Sequence, residues 1–243
     1  MNNLYETANI LGYFAMDMKY MILIGVCTAI SFIASNVLKS RFKKYSQIPV
    51  QYSGAEIAQK MLDDAGISDV QIISTSGQLT DHYNPMNKTV NLSEVVYSQR
   101  NAAAAAVAAH EVGHAIQHAT SYSMLKMRSS MVPFLKFGSG MSPYLIMIGL
   151  ALMSASSLGA PVAIAGIALF SLTTIFAFVT LPVEFDASNR ALRWIQTSGV
   201  MGTMERSKAK SALNAAASTY VVAALTSMAQ LVYFISLFMG RRD

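Results

Sequence analysis

Three long stretches of the chain carry no Lys, Arg, Asp or Glu, and they set its architecture. One such charge at the middle of a membrane helix costs about 2.5 to 3.5 kcal/mol, so charge-free runs locate spans more sharply than hydrophobicity alone. The first lies between Lys19 and Lys39, with Tyr20 at its rim and Met21 to Leu38 inside, enough for one crossing. It does not read as a secretory leader: it is long, Lys39, Arg41, Lys43 and Lys44 follow it, and no small-residue cleavage site precedes them. The second runs from Phe137 to Val183, 47 residues. As one straight helix it would extend about 70 Å, over twice the hydrocarbon thickness, so it must fold back. Ser156-Ser157-Leu158-Gly159-Ala160-Pro161 carries turn chemistry at its centre and predicts a hairpin of two spans, Tyr144 to Ser157 and Pro161 to Leu181. The third, Ser211 to Gly240, predicts a fourth segment near Tyr220 to Met239 that spans the bilayer or lies in its interface.

From Arg41 to Lys136 the polar pattern is that of a water-facing domain. Ser53-Gly54-Ala55-Glu56 has capping-box spacing, and Ile57, Ala58, Met61, Leu62 and Ala65 recur at helical period until Gly66. Val70 to Ser74 and Thr89 to Leu92 read as short strands around the turn-rich Asp81 to Lys88, giving a β-hairpin or a long loop with an exposed edge. Ser93 is expected to cap a short helix over Glu94 to Arg100. Asn101 to Ala109 then offers small side chains only, too few to span a membrane and suited to a helix packed closely on its neighbours.

Composition agrees with this map. Of 243 residues 53% are hydrophobic and 13% charged, against about 25% charged in soluble domains, which excludes an ordinary soluble enzyme and a disordered chain. The single cysteine, Cys27, excludes a disulfide framework and a CxxC metal site. The net charge of +5 is explained by topology. Ten of the 18 Lys and Arg lie in Lys39 to Lys136 and five in Arg190 to Lys210, leaving Lys19, Arg241 and Arg242 for the other side. By the positive-inside rule both polar segments face the cytoplasm and both termini lie outside. No basic patch is interleaved with aromatics, so no nucleic-acid partner is expected; Lys39 to Lys44 would meet anionic lipid headgroups. The expected organisation is an extracytoplasmic segment 1–19, a transmembrane helix 20–38, a cytoplasmic segment 39–142, a transmembrane hairpin 143–181, a cytoplasmic helical segment 182–218, and a transmembrane or interfacial helix 219–240. Trp194 and Arg193 are expected as interfacial anchors.

The alanine-rich helix runs directly into His110-Glu111-Val112-Gly113-His114. Residues i and i+4 share one helix face, so both imidazoles can reach one Zn²⁺ at about 2.0 to 2.1 Å while Glu111 faces the water that the metal activates. A catalytic zinc needs a third protein ligand and an open position. His118 continues the face, but eight residues of straight helix place it about 12 Å from His110, and Ala115-Ile116-Gln117 has no glycine to make a turn. It reads better as a supporting or packing residue. Glu184 is the stronger candidate: it is the first charge after the 47-residue gap, in the first turn of a helix that Pro182 is expected to start. An even number of crossings must separate it from His114, and the hairpin supplies two. An acid at a helix N-terminus is also favoured by the dipole, which is the competing explanation for Glu184.

His110 to His114 with flanking Ala109 and Ala115, the segment Asp81-His82-Tyr83-Asn84-Pro85 with Leu92-Ser93, and Pro182-Val183-Glu184-Phe185-Asp186 resemble the YugP-type membrane zinc metallopeptidases of bacteria. The likeness spans about Pro49 to Arg193. HExxH followed by a transmembrane hairpin and Glu-Phe-x-Ala is more distantly similar to the gluzincin arrangement of HtpX and the CAAX-prenyl proteases. The resemblance implies a mainly α, polytopic membrane protein with a cytoplasmic zincin-like helical domain and a small β-hairpin. It implies one catalytic Zn²⁺ held by His110, His114 and Glu184, with Glu111 as general base in peptide hydrolysis. In the distant relatives an Asp four residues after the ligand Glu supports a zinc-binding His; here that position is Ser188, so Ser188 or Asp186 must take the role. The expected partners are peptide or protein substrates, membrane proteins among them, and the lipid bilayer, with the site on the cytoplasmic face of the cell membrane; the oligomeric state stays open. His82, Tyr83, His118 and Arg190 are candidates for the oxyanion donor. A site-2-type intramembrane protease would need an Asp within a span, and the charge-free stretches hold none. A non-catalytic zinc-binding scaffold or transporter is the remaining alternative; a structural zinc would call for four closed ligands.

Overall fold

The computed structural model describes residues 18–240, apart from the side chain of Phe137. Nearly all of the expected terminal segment 1–19, together with Arg241 and Arg242, lies outside the described residues. The described residues form seven α-helices and a small sheet: α1 (Met18–Tyr45), α2 (Gly54–Asp64), β1 (Gln71–Thr75), β2 (His82–Asn84), β3 (Thr89–Ser93), α3 (Glu94–Ser98), α4 (Ala102–Ala119), α5 (Ser123–Leu152), α6 (Gly159–Ser198) and α7 (Thr203–Met239). The described residues are mainly α, as expected from the sequence.

Residues 18–32, 130–178 and 222–240 make one compact unit. Helices α1, α6 and α7 are long and apolar enough to cross a membrane, and α5, bent by 53° between Lys136 and Gly138, makes a broken fourth candidate. The unit's own core is small, built on Ile146, Leu150, Ala163, Phe234 and Phe238 with Tyr20 against it. Tyr144, Met147, Ile164, Ile175 and Val232 all turn outward with more than half of their surface exposed. Apolar side chains presented in that number need an apolar solvent, and lipid supplies it. Helices α5 and α6 approach closely: a Cβ on Gly149 would strike the Ala163 backbone, and one on Gly166 would lie 2.6 Å from the Ile146 nitrogen. Helix α5 ends at Leu152, whose carbonyl takes the amides of both Ala155 and Ser156, so the turn begins earlier than the serine pair suggested.

The second unit, residues 33–129 and 179–221, carries the polar segments. Ser53 and Glu56 form the expected capping box, with Ser53 N donating to Glu56 at 2.7 Å and Glu56 N to Ser53 at 3.3 Å. The amphipathic face of α2 then buries Ile57, Met61 and Leu62 against the alanines of α4. The sheet is larger than a hairpin. Its order is β1-β3-β2, with β2 antiparallel to β3 and β1 parallel to β3 in the register Gln71↔Thr89 to Thr75↔Ser93. Strand β2 falls within the stretch expected as a turn, because His82, Tyr83 and Asn84 find ladder partners in Asn91, Val90 and Thr89. The short helix after β3 is real but ends at Ser98, and Ser93 does not cap it with its side chain; that hydroxyl donates to the Asp81 carboxylate instead. Asn101 caps α4, its side-chain oxygen accepting from the Ala104 amide at 2.9 Å.

One expectation is overturned outright. Pro182 does not start a helix: α6 runs unbroken from Gly159 to Ser198 with Pro182 inside it. A proline there removes one intrahelical hydrogen bond, and the packing of Val183, Ala187, Ala191 and Ile195, each fully buried at a spacing of four, holds the helix through it. Glu184 is therefore mid-helix, and attraction to a helix N-terminus cannot account for it. Trp194 also differs from its expected place as a membrane anchor. Its indole nitrogen donates to Asp64 at 2.7 Å and its ring packs on the core of this unit.

Candidate metal centre

Helix α4 buries an almost complete cylinder of small side chains, Ala102 to Ala109, and so lets its neighbours come close. Directly after this run come His110, Glu111 and His114, and both imidazoles approach α6. Glu111 and His114 are each 8% exposed, so both polar groups are held out of bulk water. The approach of α6 is possible because residue 113 is glycine: a Cβ there would lie 2.6 Å from the carbonyl oxygen of Ala187. Glu184 sits one turn before Ala187 on the same helix and points at the two histidines.

Glu184 Oε2 lies 3.3 Å from His110 Nε2 and 3.6 Å from His114 Nε2. The three ligand-type atoms all lie within 4.8 Å of one another, and His110, His114 and Glu184 are the one such group among the described residues. Nitrogen and oxygen ligands of a tetrahedral zinc, at about 2.0 to 2.2 Å from the ion, stand about 3.3 Å apart, and two of these separations are close to that edge. Glu184 is 2% exposed, yet its Oε2 has no hydrogen-bond partner. A buried carboxylate oxygen left without a donor is costly, and a divalent cation among these three atoms removes the cost. The donor set, two imidazoles and one carboxylate, is also the set that zinc favours. The residues present fit the ion.

Charges around the carboxylate act in opposite directions. Burial pushes the Glu184 carboxyl up, but His110 and then His114 outweigh it and hold the group well below the ordinary carboxylate range. Burial pulls the His114 imidazole down, whereas Glu184 and then Glu111 leave it above its ordinary value of 6.5. A proton and a metal ion thus compete for one place.

The imidazoles are supported from behind. Ser188 Oγ is 3.1 Å from His110 Nδ1, and Gln117 Oε1 is 3.0 Å from His114 Nδ1. Gln117 Nε2 donates in turn to the Val183 carbonyl at 2.7 Å and to Asp186 Oδ2 at 2.9 Å, and Arg190 Nε donates to the same oxygen at 2.6 Å. The sequence posed Ser188 and Asp186 as alternatives, and both are used, Ser188 on His110 directly and Asp186 through Gln117. Gln117 itself was missed, although its place three residues after His114 on the same helix face was a signal. Arg128, whose Nη1 is 3.5 Å from Glu184 Oε1, and Tyr220, which interacts with Glu184 from α7, were missed as well. Neither belongs to any motif.

The other histidines stand apart from the cluster. His118 Nδ1 is bonded to the Tyr83 hydroxyl at 2.8 Å, which ties α4 to β2 and explains why it continues the face without joining the group. His82 Nδ1 is 2.7 Å from the carbonyl of Thr80 in an exposed loop.

The family described as "Putative neutral zinc metallopeptidase" matches residues 20–239, nearly the whole chain. The chain belongs to this zinc metallopeptidase family. Within it, the chain is 41% identical to the "Putative membrane protease YugP" of Bacillus subtilis (strain 168) over 228 residues, covering 93% of this chain and 99% of that protein. No solved structure matches the chain. A membrane protein of a zinc-peptidase family, with two histidines and a glutamate converging beside a buried acid, is the description that sequence, fold and kinship share.

Proposed function

We propose that the protein is a membrane-bound zinc endopeptidase whose site faces the cytoplasm, with His110, His114 and Glu184 holding one Zn²⁺ and Glu111 acting as general base. The observation that carries this reading is the convergence of those three side chains around an unpartnered carboxylate oxygen, with Glu111 buried beside them. Zinc, when bound, supplies Lewis acidity to the scissile carbonyl and brings the ionisation of water toward pH 7. Glu111 takes the proton of the attacking water and returns it to the leaving amine nitrogen. Burial of Glu111 and His114 keeps bulk water from competing at that step. The outer edge of β2 pairs with an extended peptide substrate, antiparallel or parallel, in the way an exposed sheet edge accepts a strand. Helices α1, α6 and α7 are long and apolar enough to cross, with the bent α5 as a fourth candidate, and the excess of Lys and Arg in 39–136 and 190–210 supports a cytoplasmic orientation.

The decisive experiment pairs Glu111→Gln with metal removal in the detergent-solubilised full chain, using an unstructured fluorogenic protein as substrate. Glu111→Gln should lower turnover about 10²- to 10⁴-fold while zinc content stays at the wild-type level. Chelation should abolish the wild-type activity, and added zinc should restore it. Full activity in Glu111→Gln sinks the reading.

Proton competition at His114 gives a pH signature. Its raised value in the metal-free protein means that the protonated imidazole stabilises the fold fully below 6.5, a contribution lost as pH rises through the raised value. Zinc needs the unprotonated ring, and Glu184, held low, stays anionic throughout. The rise in Tm on adding zinc should therefore be largest above the raised His114 value and shrink as pH falls toward 6.5. A zinc-induced shift that stays constant across that range contradicts it.

A further inference from the structure

We infer that Gln117 is a positioning residue that fixes the proton of His114 on Nδ1 in the metal-free protein, so that His114 presents a bare Nε2 to a divalent cation. The inference deepens the zinc-peptidase reading and rests on it for the identity of the ion. Gln117 is fully buried, and both ends of its amide are engaged. A backbone carbonyl only accepts hydrogen bonds, so the Val183 oxygen, 2.7 Å away, must face the amide nitrogen of Gln117. Asp186 Oδ2, 2.9 Å from the same nitrogen, already accepts from Arg190 Nε and takes the second amide proton. This leaves the amide oxygen facing His114 Nδ1 at 3.0 Å. An amide oxygen also only accepts, so the imidazole must donate there. The tautomer of His114 is thus dictated by a main-chain carbonyl two hydrogen bonds away.

The role asks for an amide and nothing else of that length. One arm must accept from His114 while the other donates to two acceptors; a carboxylate would face Val183 and Asp186 with a third acceptor, and a methionine would engage neither side. His110 has no such device. Its Nδ1 meets the Ser188 hydroxyl at 3.1 Å, which both donates and accepts, so either tautomer of His110 can be satisfied. Of the two imidazoles, His114 is the one set in advance.

The test uses the full chain in detergent, stripped of metal and labelled with ¹⁵N at its four histidines. Ring-nitrogen shifts are read at a pH that keeps the imidazoles neutral, and zinc affinity is measured by competition with a chelating dye. Wild-type His114 should be protonated on Nδ1 alone. Gln117→Met should give mixed tautomers and a zinc dissociation constant raised about 10- to 100-fold. Gln117→Glu should weaken zinc as well, and adding Asp186→Asn should recover about tenfold or more of that loss, because the amide then stands at 186 and donates to the carboxylate at 117. A wild-type His114 that carries its proton on Nε2, or mixes tautomers, overturns the inference, as does a double variant no tighter than Gln117→Glu alone. Wild-type protein that binds no zinc sinks the zinc reading, while the tautomer measurement, which needs neither metal nor variant, still decides this one.

Discussion

Glu184→Ala is expected to leave the protein without zinc and without peptidase activity, and His118→Ala to leave zinc in place. Loss of a hydrogen-bond partner behind a ligand already costs about 10- to 100-fold in metal affinity, and removing one of three ligands must cost more. The remaining His110 and His114 cannot close a site by themselves, since a catalytic zinc takes three protein ligands. The substitution also removes a buried charge that Arg128, 3.5 Å from Oε1, faces. His118 is bonded to Tyr83 at 2.8 Å and lies outside the cluster, so its removal loosens β2 from α4 and touches no ligand. Metal analysis of both variants by mass spectrometry, beside wild type, reads the result directly. Zinc retained in Glu184→Ala and lost in His118→Ala would reverse the assignment.

Much of this was legible in the chain because charge and period are local signals. The charge-free runs located the long helices, Ser53 and Glu56 announced their capping box, and the i, i+4 spacing of His110 and His114 put both on one face. Glu184 was found by topology: a 47-residue gap too long for one crossing had to return the chain to the side it left. The failures are as physical. Pro182 reads as a helix start because its local penalty is plain, whereas the buried stripe of Val183, Ala187, Ala191 and Ile195 that outweighs the penalty exists only once α6 meets its neighbours. Strand β2 was hidden because three residues in a polar loop acquire their pairing from β3. The parallel pairing of β1 with β3 is likewise a choice made by tertiary contacts. Arg128 and Tyr220 gave no signal at all, since each reaches Glu184 from a helix whose own pattern is explained by the membrane.

Gly113 is where fold and site become one question, and Gly113→Ala should cost the metal centre more than its single methyl group suggests. Within His110-Glu111-Val112-Gly113-His114 the two unnamed positions of HExxH carry no chemistry, yet residue 113 is the point at which α4 and α6 cross. An added Cβ would stand 2.6 Å from the Ala187 carbonyl oxygen and 3.1 Å from both its carbonyl carbon and its Cα. These are main-chain atoms of a helix, so no rotamer change relieves the clash; α6 must move away. Glu184 moves with it, one turn from the contact, out of the 3.3 and 3.6 Å separations from His110 and His114. Alanine is the better helix former by about 1 kcal/mol, which favours the variant locally. Overpacking a close interface costs about 1 to 3 kcal/mol and should win. Gly113→Ala should thus lose zinc affinity and activity with a lowered Tm, and Gly113→Val should lose the site altogether. Gly25→Ala on α1, where a Cβ would meet nothing within 4 Å, supplies the matched control and should bind zinc as wild type does. Wild-type zinc affinity in Gly113→Ala would mean that the helices can part without disturbing the ligands. The close crossing would then be a matter of packing alone.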